Sequence, residues 1–510
     1  MMSTVVRNLF EFAMLPFAIV LALVLPQALA ASLSGLQVEG LTSPLAVSAA
    51  APRFSWTSSL QSSYRLTVTQ TFPLPGGLLW DSGVVGSNNT HLIPYAGSPL
   101  PADGDFALLL TAQVSGSNVS LSGTFSTAPP APLAGAWLGL ADTLRAVLPL
   151  SSAPVTRARL HATGVGCYVA YLNGQRLSPP LSPGFGHAPS ARALYNTYNV
   201  TAALTPGAAN ELRMRLGSCK WGAFGQYCSR GSAALCNAGW ALLSVSQGSN
   251  TTLLATAPGQ AWQGANTSVL QQHLWNGELF DARAEEPGQW LPAQGADTAD
   301  LIGPLLPAPA PPVGAGQALT PVAVTSVAGG AAHVFDLGVN IAGICGLDLT
   351  APPGEAPVAS GAVVSLLHGE LLQLSGNGSV YNHYLPPGGT HQPNGLNQPQ
   401  MNYTYITRGG GQELAGVGPH FSYFGFRYIE LRGWPYAAPP AVDRLSCSFL
   451  HSELAATGAV DFPTNPLLKA LQDSTLRTHL ANLVSAPTDC PQREKRGWTV
   501  SAQRSAMVTA

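Results

Sequence analysis

The sequence predicts a mostly β protein: three successive β-sandwich or jelly-roll domains followed by the first helices of a helical domain. Three observations carry this. Short alternating apolar and polar runs, closed by Gly, Pro and Asn turns, fill most of the chain. Two Ala/Pro-rich linkers cut those runs into blocks. The spacing of leucines changes to a helical period only after Thr457.

Composition sets the boundaries of this reading. Of 510 residues, 54 are Gly and 43 Pro; 9% are charged and 46% hydrophobic. Disorder requires low hydrophobicity with high net charge, and a net charge of -2 supplies neither. The same near-neutrality argues against a nucleic-acid partner, which needs a concentrated basic surface. The length accommodates three to four domains.

At the N-terminus, Arg7 precedes an apolar run from Ala13 to Leu25, and Ala28-Leu29-Ala30 offers the small-x-small pattern of signal-peptide cleavage. The expectation is a signal peptide over residues 1–30 and a secreted, extracellular chain with no membrane contact after cleavage. A retained anchor is the alternative, although Pro16 and Pro26 interrupt a run already short for a span. Seven N-x-S/T sequons, headed by Asn88, Asn118, Asn199, Asn250, Asn266, Asn377 and Asn402, mark candidate glycosylation sites. Cysteines number seven, and Cys219, Cys228 and Cys236 cluster in one segment where two are expected to pair. Which two is open. No metal-type spacing is present, so no metal and no cofactor are expected.

The first block (31–128) contains the alternation Ser63-Tyr64-Arg65-Leu66-Thr67-Val68-Thr69 of a small antiparallel sandwich. Ala128-Pro129-Pro130-Ala131-Pro132 then reads as a linker. The second block (135–304) holds Tyr168-Val169-Ala170-Tyr171-Leu172 closed by Asn173-Gly174, a strong hairpin signal. A second linker is expected from Leu305 to Pro312. The third block (317–450) ends in Phe424-Gly425-Phe426-Arg427-Tyr428-Ile429-Glu430-Leu431. In the last (455–510), Asn465-Pro466 reads as N-cap and first helical residue. Leu467, Leu468, Leu471, Leu476, Leu480, Leu483 and Val484 form one helical face, ended by Pro487. Trp498 to Ala510 resembles the opening of a second helix.

Chemistry is sought by elimination: the sequence has no G-x-S-x-G elbow, phosphate loop, H-E-x-x-H helix or dinucleotide fingerprint. What stands out is Thr488-Asp489-Cys490-Pro491-Gln492-Arg493-Glu494-Lys495-Arg496-Gly497-Trp498, with five charged residues among the eight from Asp489 to Arg496. Two carboxylates in a loop between helices, with an Arg and a Trp beside them, suit acid catalysis on a sugar. The plainer alternative is a solvated charged loop capping two helices.

D-C-P-Q-R-E-K-x-G-W after an apolar helix resembles the catalytic-loop signature of bacterial-type alpha-L-rhamnosidases, inverting enzymes of glycoside hydrolase family 78. Pro52-Arg53-Phe54-Ser55-Trp56 and Leu79-Trp80-Asp81-Ser82-Gly83 resemble that family's N-terminal fibronectin-like domain. Tyr171-Leu172-Asn173-Gly174, Tyr195-Asn196-Thr197-Tyr198-Asn199-Val200-Thr201 and Gly277-Glu278-Leu279-Phe280-Asp281-Ala282-Arg283 resemble its jelly-roll accessory domain. Phe335-Asp336-Leu337-Gly338 with Asn340 and Gly343, His368-Gly369-Glu370 and Phe424 to Tyr428 resemble the sandwich before its (α/α)6 six-hairpin domain.

The resemblance implies roles. Glu494 matches the general acid that protonates the glycosidic oxygen; Asp489 matches a carboxylate that binds rhamnose hydroxyls. Arg493 and Trp498 match substrate-binding neighbours, and the implied partner is a rhamnose-containing polysaccharide or glycoside. Two departures qualify this. Ser501 stands where many members carry a second Asp. The family's general base lies late in a twelve-helix barrel, so the resemblance implies a chain truncated early in that barrel, without its base. A calcium-dependent rhamnose site occurs in some relatives, but no ligands for it match here. The alternative function is a non-catalytic carbohydrate-binding sandwich protein derived from such an enzyme.

Overall fold

The computed structural model describes residues 32–48, 50–73, 76–184, 190–219, 238–296, 302–372, 380–381, 401–413, 416–454, 460–493, 495 and 497. The chain divides into two compact units, Met1–Ala128 and Pro129–Ala510.

The first unit is an antiparallel sandwich. Strands Gly77–Asp81, Gln61–Phe72, Asp105–Val114 and Ser117–Ser126 form one sheet, and Leu33–Val38, Arg53–Ser58 and Ile93–Pro94 the other. The alternation seen in sequence is the cause: Tyr64, Leu66 and Val68 face inward, opposite Ala112, Leu110 and Leu108 of the next strand, and close on Phe54, Trp56 and Phe125.

In the second unit the jelly-roll strands join in one 12-stranded hydrogen-bonded path, with Asn250–Ala255 branching from Gly239–Gln247. Leu144, Leu212 and Met214 from one stretch of that path share a core with Leu160, Leu243 and Val245 from the other. The Asn173-Gly174 turn joins Cys167–Leu172 to Gln175–Arg176, with both turn residues at positive φ (51° and 78°), the geometry that an Asn-Gly hairpin turn requires.

A 9-stranded sheet built around the 16-residue strand Ala332–Leu347 forms the third sandwich. Three segments depart from the sequence reading. Val269–His273 and Gly277–Asp281, assigned to the second block, lie in this third sheet, the two antiparallel to each other and the second parallel to Asn402–Ile406. Leu305–Pro307, expected to be linker, is a strand paired in parallel with Ala193–Tyr195 of the jelly roll. The outer face of the jelly roll contributes Cys167, Val169 and Leu181 to the third sandwich's core, so the two share apolar interior.

Disulfides Cys167–Cys219 and Cys345–Cys447 staple this unit. Cys219 thus pairs outside the cluster in which sequence placed it; Cys228 and Cys236 lie outside the described residues. So do the expected signal peptide, Asn377 and the second helix. Among the other sequons, Asn88, Asn118, Asn199, Asn250 and Asn266 are exposed. Asn402 lies at the start of the strand Asn402–Ile406, half-buried, its Nδ2 donating to Thr404 Oγ1 at 3.1 Å and its Oδ1 enclosed. No helix among the described residues is long and apolar enough to cross a membrane. Nor do those residues bring three or more His, Cys, Asp or Glu together as a metal would need.

Candidate active site

The helix Pro466–Ala481 begins as its sequence dictates: Asn465 Oδ1 accepts the Leu468 backbone N–H at 3.1 Å, and Pro466 occupies the first turn, where no N–H is needed. It ends earlier than expected. Asn482 takes over the last carbonyls, and Leu483–Val484 pairs with Ala486–Pro487 as a tight hairpin through Ser485 at positive φ. Leu483 and Val484 therefore leave the helical face. Val484 is fully buried in the third sandwich's core, with Leu480 packed against it, and Ser485 N–H donates to Ser452 Oγ at 2.9 Å. Leu467 and Leu471, by contrast, are 77% and 61% exposed.

The loop that follows is closed on itself. Thr488 pairs with Gly497 in an isolated bridge, Thr488 N–H donates to Asn482 O at 2.7 Å, and Lys495 N–H donates to Cys490 O at 3.1 Å. Two features of the sandwich hold it in place. Gly425 lies beneath Gln492, where a Cβ would come within 2.8 Å of the Gln492 nitrogen, so Phe424-Gly425-Phe426 needs a glycine at its centre. Lys495 is wholly buried, its Nζ donating to Leu274 O at 2.6 Å and Tyr423 O at 2.5 Å, 4.4 Å from the centre of the Tyr423 ring. Burial pushes its pKa well below the usual ammonium range.

A cleft of about 380 Å³ opens between this loop, the helix and the sandwich. Asp489, Cys490 and Gln492 line it from the loop, Arg477 and Thr478 from the helix, and Asn340 and Glu370 from the sandwich. Asn340 Nδ2 donates to Glu370 Oε1 at 3.0 Å, and Cys490 Sγ to Asp489 Oδ1 at 3.4 Å. The exposed Asp489 carboxylate thus faces a polar wall of hydroxyl, amide, guanidinium and carboxylate groups, able to exchange hydrogen bonds with a polyol. Arg493 is half-buried in the same loop. Glu494, Trp498 and Ser501 lie outside the described residues. Asn340, Glu370, Arg477 and Lys495 carry no signal of a role in the sequence; only the fold brings these groups to the loop.

The architecture is thus a series of β-sandwiches leading into a helix and a carboxylate-bearing loop. Four family models match in order: the Rha78A-like N-terminal immunoglobulin domain over residues 33–114, the alpha-L-rhamnosidase N-terminal domain over 153–301, the bacterial alpha-L-rhamnosidase concanavalin-like domain over 327–451, and its 6 hairpin glycosidase domain over 460–510. The chain belongs to the bacterial alpha-L-rhamnosidase family. It is 32% identical over 385 residues to an alpha-L-rhamnosidase of Streptomyces avermitilis, covering 72% of this chain and 34% of that protein. It is 25% identical over 522 residues to one of Alteromonas sp., covering 91% and 52%. The chain therefore spans about half or less of the length of these relatives. The solved alpha-L-rhamnosidase of Dictyoglumus thermophilum shares the fold, with a TM-score of 0.76 at 23% identity over 93% of this chain and 55% of that one. The Streptomyces avermitilis enzyme complexed with L-rhamnose gives 0.73 at 21% identity over 92% and 62%.

Proposed function

We propose that this chain forms the front of a secreted glycoside hydrolase that releases terminal alpha-L-rhamnose with inversion. The observation that carries the reading is the pinned loop Thr488–Gly497, which presents Asp489 to a polar cleft beside the helix. In this reading Glu494 is the general acid that protonates the departing glycosidic oxygen. Asp489 and Arg493 hold sugar hydroxyls, and Trp498 packs on the apolar face of the ring. No residue of these 510 is assigned as the base that activates water. Secretion is supported by the N-terminal apolar run, the exposed sequons and the two disulfides, which suit an oxidising compartment.

The test is release of L-rhamnose from a rhamnosyl disaccharide, whose alkoxide leaving group needs protonation, by the protein that carries this sequence, beside its Glu494→Gln variant. Loss of a general acid lowers the rate by about 10²- to 10⁴-fold; an unchanged rate removes Glu494 from that role.

A further inference from the structure

The Gly277-Glu278-Leu279-Phe280-Asp281-Ala282-Arg283 motif takes no part in the cleft at Asp489, yet it anchors a second one. A crevice of about 490 Å³ separates the outer face of the jelly roll from the third sandwich. In a chain with 9% charged residues, Arg176, Glu211, Arg213, Arg215, Glu285 and Glu286 all line it. Among the described lining residues, none is shared with the cleft at Asp489.

Its arrangement is built from the interior outward. The Glu278 side chain is fully buried; Oε2 accepts the backbone N–H groups of His420 and Phe421 at 2.9 and 3.3 Å, and Oε1 lies 2.7 Å from His420 Nδ1. A carboxylate only accepts, so His420 Nδ1 carries the proton. The opposite nitrogen, Nε2, is then an acceptor for Arg215 Nη1 at 2.9 Å. This relay fixes the Arg215 guanidinium, 5% exposed, on the wall of an open crevice.

The charges around it balance. Arg213 pairs with Glu211 and Glu286, each at 3.0 Å, and Glu285 lies between Arg215 at 3.9 Å and Arg408 at 3.0 Å. An anion entering would meet three carboxylates and a cation three guanidinium groups. A hydroxyl is both donor and acceptor, and alternating Arg and Glu satisfy it on both counts. Tyr171 and the stacked Phe280 and Tyr405 rings, 5.7 Å apart, supply an apolar edge.

We propose that this crevice is a second saccharide-binding site, separate from the catalytic loop, for a neutral pyranose held by Arg213, Arg215 and Glu285. The test is calorimetric titration of methyl alpha-L-rhamnopyranoside into the Asp489→Asn chain, which silences the first cleft and keeps failure here distinct from failure of the proposed activity. Saturable binding is expected in that background, weakened at least tenfold by adding Arg213→Ala and clearly weakened by Glu286→Gln. Glu286 is surface-exposed, so its variant carries the test should Arg213→Ala not fold. Absence of saturable binding, binding indifferent to both substitutions, or tighter binding of D-glucuronate than of the neutral glycoside would overturn the assignment.

Discussion

Lys495 Nζ donates to the carbonyl oxygen of Leu274 at 2.6 Å, across 221 residues of sequence. The bond ties the loop bearing the candidate acid to the turn that precedes the Gly277–Asp281 strand, and a second bond to Tyr423 O completes the clasp. Lys495→Ala removes the donor to two carbonyls and leaves a cavity beside the Tyr423 and Phe424 rings. The expected loss is about 2 to 5 kcal/mol of unfolding free energy, read from urea denaturation, with new proteolytic cleavage between residues 488 and 497.

Gly425→Ala tests the other anchor. Its Cβ would meet both the nitrogen and the Cβ of Gln492, at 2.8 and 2.9 Å, so the loop has to lift. The sandwich itself loses about 1 to 3 kcal/mol. L-rhamnose affinity, measured by calorimetry, falls at least tenfold, a larger effect than the stability change alone would cause.

The helix should respond unevenly along its length. Val484→Ala removes a fully buried side chain just beyond its end and costs about 1 to 3 kcal/mol. Leu467→Ala, at a position 77% exposed, stays within about 0.5 kcal/mol. Parallel denaturant titrations separate the two.

Acid should destabilise the fold before the carboxylates titrate. Burial lowers His161 to about 3 and His368 to about 4 from 6.5. Arg157 and Arg159 reinforce the first shift, and Lys495 the second, against the Met401 carbonyl that accepts from the ring. His333 and His420 shift the same way. A histidine with a lowered folded pKa binds more protons when unfolded, so its stabilisation is complete above about pH 6.5 and declines as pH falls toward its folded value. Each such histidine contributes a slope of up to about 1.4 kcal/mol per pH unit in that window. Denaturation midpoints measured between pH 7 and pH 4.5 should fall steadily; a flat profile would show that these rings are hydrated. The lowered carboxylates Asp81, Asp281 and Asp336 add their own losses only below that range.

Much of this was legible because it is local. The Ser63–Thr69 alternation, the Asn173-Gly174 turn and the Asn465-Pro466 helix start each follow from the conformational preferences of a few neighbouring residues. What was not legible depends on distant pairing. Nothing near Gly277 announces a parallel partner at Asn402, nothing in a Pro-rich stretch announces the strand Leu305–Pro307, and Cys219 finds Cys167 rather than its sequence neighbours. The candidate site divides in the same way. Asp489 was visible as part of a charge cluster in a charge-poor chain, while Asn340, Glu370 and Arg477 acquire meaning only when strand and helix meet. The burial of Lys495 was not legible, because a charge run is ordinarily solvated and here one member turns inward.

The central claim is that the pinned loop Thr488–Gly497 holds a rhamnose. Its most direct test is calorimetric titration of L-rhamnose into the chain carrying Arg213→Ala, so that only the loop cleft responds, with and without Asp489→Asn. Saturable binding weakened at least tenfold by the Asp489 substitution is the predicted result. Binding unaffected by that substitution, or none in either protein, would contradict the account.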